Sequence, residues 1–400
     1  MLKHTILHKL LPIFAMLTAF AMQSCGENDE PAPPSPTRSL PSRTVLVYMV
    51  SNNNLGTNSD YDIKEMINGC ASPGYGDSRV IIFHKYRYTE NGEQKIAVQL
   101  NEIKPYGIDT LKIYDNDEPA VTVRRMRQVI ADVKEIAPAL SYGMVFWSHA
   151  SGWLQDGIQE DAQVQARSFG SDEYGYTQIM RMSITSLHDA VYDADLDFMY
   201  FDCCYMGSVE TVYELRDCAP YIICSPAEIP ADGMPYHTVL PILTDASLPL
   251  ESMAKKAAQT TFDYYDVNFK KGDCPNTMCV VRTSALDNLA SATRLIYDKA
   301  TTRYDTSYNY QKYSRTQPCY YYDLEHYVES ICTDVADMDM WRATLAEVVV
   351  YADASPWLWN KFTIDHYSGL STYILNYASS ATTKGYNTLS WYADVASALL

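Results

Sequence analysis

An α/β fold, with a mainly parallel sheet covered by helices on both faces, is what this 400-residue chain predicts. Three observations carry that expectation. Short apolar runs of strand length alternate with stretches whose apolar residues recur at helical spacing. Two of the runs, residues 144–147 within Tyr142-Gly-Met-Val-Phe-Trp147 and residues 198–201 in Phe198-Met-Tyr-Phe201, lead directly into Ser148-His149 and Asp202-Cys203-Cys204. After the second run the period changes to helical, through Met206, Val209, Val212 and Tyr213, with Gly207 at the changeover. Ligands in open α/β sheets sit beyond the carboxyl ends of the strands, so these two exits are where chemistry is expected.

In chain order, Thr44–Val50 reads as a buried strand closed by the turn signal Ser51-Asn-Asn-Asn-Leu-Gly56. Residues 60–68 read as a helix and 79–86 as the second strand. Asn91-Gly92 marks a hairpin running to Leu100. A helix over 121–137 leads to the strand before His149. Residues 155–176 are polar and without period, as an exposed loop would be. A helix over 183–193 leads to the strand before Cys204, and Tyr221–Cys224 is the next strand. The second half is less regular. Helices are expected over 252–265, 286–304, 323–331, 340–351 and 389–399, with a strand over 277–281.

The chain begins with a targeting pattern. Lys3, His4, His8 and Lys9 precede an uncharged, mostly apolar stretch from Leu10 to Met22, too short for a bilayer core and fitting a signal-peptide core. Residues 1–24 are read as that signal. Cys25 follows Ser24, as at a bacterial lipoprotein cleavage site where the cysteine becomes the lipidated N-terminus; a plain secretory cut nearby is the alternative. Residues 25–42 hold Pro31-Ala-Pro-Pro-Ser-Pro36 and read as an extended tether. Residues 43–400 are globular in composition, long enough for one large α/β domain or for a core, 43–245, with a C-terminal part, 246–400.

The formal charge of −18 argues against nucleic acid as a partner and suits an exported protein that attracts cationic substrates. Contact with a membrane is expected only through the N-terminal lipid. Ten cysteines without a CxxC pair or zinc spacing leave an odd number once Cys25 is set aside, so at least one thiol is free unless it pairs between chains. Cys218 with Cys224 and Cys274 with Cys279 are possible local bridges. Thirty-three tyrosines invite a glycan-binding reading, against which ordinary packing weighs heavily.

If the two strands are parallel neighbours, His149 and Cys204 emerge at the same edge as a base and nucleophile pair. A position just before a helix start would also favour the thiolate of Cys204. The plain reading is two small buried cysteines.

Taken in order, Tyr48-Met-Val-Ser-Asn-Asn-Asn-Leu55, Trp147-Ser-His-Ala-Ser-Gly-Trp153, Asp202-Cys-Cys-Tyr-Met-Gly207 with Glu210, Ser225-Pro-Ala-Glu-Ile-Pro-Ala-Asp-Gly-Met-Pro-Tyr236, Tyr322-Asp-Leu324 and Tyr367-Ser-Gly-Leu-Ser371 resemble the clostripain-like cysteine peptidases, family C11 of the caspase-type clan, over residues 43–400. The resemblance implies a caspase-like three-layer α/β/α sandwich with a helical C-terminal extension. It implies an endopeptidase cutting peptides or proteins after Arg or Lys, with His149 as base, Cys204 as nucleophile, Cys203 as bystander and Asp202 in the floor of the pocket for the basic side chain. The amides of Ala150 and Cys204 would form the oxyanion hole. Ala150 stands where the family has glycine, and a weak or inactive surface lipoprotein that binds peptides or glycans is the alternative. No metal is required by the chemistry, although calcium dependence occurs in the family. Self-cleavage of a zymogen would fall at Arg167, the one basic residue of the 155–176 segment. The acidic residues after Cys25 resemble export signals of Bacteroidetes lipoproteins, implying the outer membrane or surface of a Gram-negative cell.

Overall fold

The structure is a computed structural model that describes residues 39–72, 75–154, 168–174, 178–268, 276–305, 307–375 and 385–399. Leu40–Leu400 form one compact unit. Its centre is Thr44–Val50 (β1), buried along its whole length. The reason is that the pleat feeds two cores at once. Val45, Val47 and Met49 enter one apolar cluster, and Leu46, Tyr48 and Val50 enter the other, as expected of a central strand covered on both faces.

Arg79–Glu90 (β2) and Glu93–Lys104 (β3) form the expected hairpin. It turns at Asn91 and Gly92, both at positive φ (54° and 83°), which Asn and Gly adopt at little cost. Gly107–Ile113 (β4) extends this edge. Sequence periodicity did not reveal it, because the strand lies at the sheet's edge and most of its side chains are exposed or half-buried. Tyr142–Trp147 (β5), the short pair Phe169–Tyr174 (β6) and Gln178–Met182 (β7), Phe198–Asp202 (β8), Tyr221–Cys224 (β9) and Thr277–Arg282 (β10) come next. Tyr322–Asp323 (β11), Val349–Ala354 (β12), Trp357–Leu358 (β13), Phe362–Thr363 (β14) and Ser371–Thr372 (β15) complete the strands.

The main sheet has nine strands in the order β12-β10-β9-β8-β5-β1-β2-β3-β4. Its five central strands, β9, β8, β5, β1 and β2, run parallel. Antiparallel strands close both edges. Helices Gly56–Cys70 (α1), Tyr236–Thr244 (α5) and Leu250–Asn268 (α6) pack on one face. Val123–Ile136 (α2), Ile184–Val191 (α3), Val209–Glu214 (α4), Leu286–Lys299 (α7), Leu324–Ile331 (α8) and Val335–Val348 (α9) cover the other. Among the described residues no helix is long and apolar enough to cross a membrane.

Four expectations are corrected. The helix after β8 begins at Val209, capped by Ser208, so Cys204 lies in a turn and gains nothing from a helix dipole, which fades within one turn. The segment expected to be a loop up to Tyr176 already forms β6 from Phe169, because Phe169 is fully buried against Phe146. The helix expected over 340–351 ends at Val348 and continues as edge strand β12. Neither cysteine pairing appears as proposed: Cys224 faces Cys279 across β9 and β10, with sulfurs 3.5 Å apart, Cys218 lies beside Asp217, and Cys274 is outside the described residues.

Candidate active site

Register brings the site together. Trp147 at the end of β5 is paired with Met49 of β1 on one side and with Asp202 of β8 on the other. The three chain segments that leave these strands therefore emerge side by side: Ser51–Leu55, Ser148–Gly152 and Cys203–Gly207. His149, Cys203, Cys204 and Asp202 all line one cavity of about 230 Å³, with Leu55, Glu228, Arg315 and Trp359 on its walls.

His149 is half-buried, and its Nε2 lies 2.6 Å from Asn54 Oδ1. An amide oxygen only accepts, so Nε2 carries the proton and Nδ1 is the basic nitrogen of the ring. Asn54 is held in place by its neighbours. Asn53 caps its own turn through the Leu55 amide and reaches the Ser171 carbonyl at 2.6 Å, while Asn52 donates to Asp172 and to the Glu173 carbonyl. Strand β6 also binds the histidine loop directly, since the Gly170 amide donates to the His149 carbonyl (2.9 Å) and the Ser171 amide to Ser148 Oγ (3.1 Å). Beneath this seam Lys85 and Asp172 form an ion pair at 2.7 Å with both side chains fully buried, and Asp172 also accepts from the Ala120 amide.

The two thiols have different surroundings. Cys203 is buried, points its sulfur at the Phe146 carbonyl (3.3 Å), and burial pushes its pKa well up, which makes it a poor nucleophile. Cys204 lines the cavity, where its sulfur accepts from the Ile229 amide at 3.5 Å and lies 4.0 Å from the Ile229 carbonyl. The turn that presents Cys204 is strained. Tyr205 has φ 62°, costly for a bulky residue. It is held there by its amide bond to the Ala227 carbonyl (2.9 Å), by the Gly207 amide bond to the Ser225 carbonyl (2.8 Å) and by ring stacking on Tyr321 at 4.1 Å. Gly207 is needed because a Cβ there would lie 2.6 Å from the Pro226 nitrogen.

Ala150 does not sit at positive φ; in the histidine loop that conformation falls on Gly152 (57°). Ala150 instead bridges to Phe169 in extended pairing. Alanine is thus compatible with this backbone, and the objection raised by the missing glycine loses its physical basis. Among the described residues the buried Ala150 amide has no hydrogen-bond partner.

Asp202 is buried, accepting from the Met234 amide (3.0 Å) and the Tyr236 hydroxyl (2.9 Å). Burial raises its pKa to about 6 against the lowering effect of those two bonds. A second carboxyl, unnoticed in the sequence, lies beside it: Asp62 of α1 accepts from the Trp147 indole at 2.6 Å. A Cβ on Gly233, whose φ of 65° also demands glycine, would lie within 3.3 Å of both carboxyls. Burial, and then repulsion from Asp202, raise Asp62 further. Of the two neighbouring carboxyls Asp62 is thus the one that holds its proton more tightly. Asp62 had a legible signal, since it shares the buried face of α1 with Ser59, Ile63, Met66 and Cys70, an acid on an otherwise core-facing stripe. Asn54 stood within a quoted motif but was read only as turn chemistry. Trp359 and Arg315 gave no signal. Arg167 and Cys25 lie outside the described residues.

One group of His, Cys, Asp or Glu side chains among the described residues is compact enough for a metal ion, His188 with Asp217 and Cys218. Its nitrogen and sulfur donors do not fit calcium, a hard cation that takes oxygen ligands, and the cluster does not line the active-site cavity.

Residues 47–396 match the sequence profile of the Clostripain family, peptidase C11. A secreted C11 cysteine protease from Bacteroides thetaiotaomicron, solved with an irreversible peptide inhibitor, is 28% identical with a TM-score of 0.73 over 88% of this chain and 98% of its own. An inactive zymogen C11 protease from Parabacteroides distasonis is 26% identical with a TM-score of 0.74 over 89% and 99%. A B. fragilis cysteine protease is 33% identical with a TM-score of 0.51, over 56% of this chain and 98% of its own. No curated protein matches the chain.

Proposed function

The chain belongs to the Clostripain family of cysteine peptidases, hydrolases that act on peptides, and we propose that it cuts peptide bonds after Arg or Lys with Cys204 as nucleophile and His149 as base. The observation that carries this reading is that Cys204, His149 and the buried carboxylate Asp202 line one cavity. The guanidinium or ammonium of the substrate enters toward Asp202, which offers charge-assisted bonds. The Cys204 thiolate attacks the scissile carbonyl, forming the S–C bond, and the oxygen takes up the negative charge facing the amides of Ala150 and Cys204. His149, having received the thiol proton on Nδ1, passes it to the leaving amine as the C–N bond breaks. Water then gives a proton to His149, attacks the thioester and releases the acid, and His149 returns its proton to sulfur. Asn54 holds the imidazole in the tautomer these transfers need. No step requires a metal.

The test is an electrophilic peptide carrying Arg or Lys at P1. It is expected to alkylate Cys204 alone, with cleavage abolished in Cys204→Ala and His149→Ala and largely kept in Cys203→Ala. Labelling of Cys203 instead would overturn the assignment.

Two features belong to the same proposal. Activation by a cut at Arg167 is supported by the anchoring of the next two residues: the Ser168 carbonyl accepts from the Ser151 amide at 3.1 Å and Phe169 is buried, so a new N-terminus at Ser168 would stay attached to the histidine loop. Cys25 is proposed as the lipid anchor of an exported protein held at the cell surface or outer membrane by residues 26–42. Cys25→Ala is expected to release the protein from the membrane fraction or block its maturation, and unchanged attachment would place the anchor elsewhere.

A further inference from the structure

A second cavity, of about 470 Å³, shares one wall residue with the active site: Arg315 lines both. Its chemistry is unusual for a chain of formal charge −18. Lys312, Arg315 and Lys361 line it together with the stacked imidazoles of His326 and His366, 3.8 Å apart. The lining holds one carboxylate, Asp365, which accepts from the Thr363 hydroxyl at 2.9 Å and keeps its charge, so three cationic side chains stand against one anionic one. Among the described residues neither Lys312 nor Lys361 has a carboxylate partner.

The walls are fixed. Gln311 accepts from the amides of Asp365 and His366 and donates to the carbonyls of Lys312 and Thr363, at 2.9 to 3.3 Å. The partition between the two cavities is also fixed. Arg315 pairs with Glu228 at 2.9 Å and lies over the Trp359 ring at 4.3 Å. Trp359 and Asn360, both at positive φ (55° and 53°), form the tip of the β13–β14 hairpin. Among the described residues the Trp359 indole N–H is buried without a partner, and Trp359 lines the active-site cavity.

We propose that the Lys312–Arg315–Lys361 cavity is a second specificity site of this peptidase, taking an acidic side chain of the substrate while the basic residue occupies the pocket at Asp202. The inference rests on the proposed cleavage after Arg or Lys. It adds a polarity requirement, an acidic residue at a fixed distance from the basic one. Because Arg315 touches both cavities, the anion that fits best is one carried by the same peptide.

The experiment uses peptides with one P1 Arg and a single Asp, or Asn in its place, moved from P5 to P4′. At low salt one position is expected to favour Asp by roughly three- to tenfold in kcat/KM, mostly through KM, and to lose the preference at high salt, as half-exposed ion pairs do. The Asp-to-Asn ratio is read within each variant, so a general loss of activity cancels. Lys312→Gln with Lys361→Gln is expected to bring the ratio to one, and Lys312→Glu with Lys361→Glu to favour Lys at that position. A ratio of one at every position in the unmodified enzyme, or a preference that survives the charge reversal, overturns the second site while leaving cleavage after Arg intact. Inorganic phosphate is expected to compete with the Asp peptide alone; acceleration of the Asn peptide by phosphate would make the cavity an independent anion site and refute the proposal. If no peptide is cut, the cleavage reading fails. The same Asp and Asn peptides are then compared for binding to Cys204→Ala by fluorescence anisotropy, where equal affinities refute the second site.

Discussion

Asp202→Asn is the most informative substitution, because it removes a charge while leaving the bonds around it nearly unchanged. The Asn oxygen can accept from the Met234 amide as Asp202 does, and the Tyr236 hydroxyl can turn to accept from the new amide. What is lost is the difference between charge-assisted and neutral hydrogen bonding, plus the attraction of a buried carboxylate for a cation. Together these are about 2–3 kcal/mol in such a site, or about 30- to 150-fold in kcat/KM for P1 Arg. The control is a P1 citrulline peptide, neutral and of nearly the same shape, so the quantity to follow is the Arg-to-citrulline ratio. The ratio also has a pH signature. Burial raises the Asp202 pKa to about 6, so the group is protonated below that value and charged above it, and kcat/KM reports the free enzyme. In the unmodified enzyme the ratio is expected to fall roughly tenfold between about pH 7.5 and pH 5. In Asp202→Asn it is expected to stay low and flat, and titration of His149 and Cys204 cancels because both peptides meet the same dyad. An Arg-to-citrulline ratio untouched by the substitution, or one that rises as pH falls, would refute the role given to Asp202.

Asn54→Ala is expected to lower kcat/KM roughly five- to tenfold, the value of about 1–1.5 kcal/mol for a half-exposed bond to an imidazole that becomes charged. Its alkaline limb moves to lower pH, because imidazolium loses an acceptor, and Asn54→Asp restores rate with that limb moved upward; an unchanged pH profile in both variants would remove Asn54 from the mechanism. Glu210, buried under Thr372, Tyr373 and Tyr386, has its pKa raised to about 7 by burial. The fold therefore holds a proton there more tightly than the unfolded chain, and stability falls as pH rises from about 4.5 to 7. Glu210→Gln is expected to flatten that fall and to gain about 2 kcal/mol at pH 8, read from denaturant midpoints at pH 5 and 8, whereas equal destabilisation at both values would show that the charge is not the cost. Arg167→Ala is expected to leave a single uncut polypeptide where the unmodified protein resolves into two associated fragments. Cutting at another bond in that variant would move the activation site.

The parallel core was legible because its strands are buried on both faces, which writes itself into sequence as unbroken apolar runs such as Thr44–Val50 and Phe198–Phe201. The exits from those runs were legible for the same reason, since a polar residue after such a run has only the sheet's end to occupy. Elements decided by contacts distant in sequence were not. Strand β6 exists because Phe169 packs on Phe146 and Asp172 meets Lys85, yet its sequence, Phe-Gly-Ser-Asp-Glu-Tyr, has the composition of a loop. Helix α5 contains Pro241, which argues against a helix locally and is outweighed by five apolar side chains that enter the core.

The same distinction explains which site residues were found. Cys204 and His149 follow strand ends, where topology pointed to a site and the family resemblance chose between the two cysteines, whereas Asn54 and Asp62 meet partners 95 and 85 residues away. The buried Lys85–Asp172 pair shows what that costs and why it is kept. Removing one partner of such a pair costs about 3–5 kcal/mol, although an apolar pair of the same volume is often no less stable. Its value here is positional: Asp172 holds Asn52, Lys85 and the Ala120 amide at one point, and β6, fixed there, holds the backbone on both sides of His149. If the chain is cut at Arg167 as proposed, its histidine loop must keep its place when the chain is severed. An ion pair buried between β2 and β6 does that without depending on the continuity of the chain.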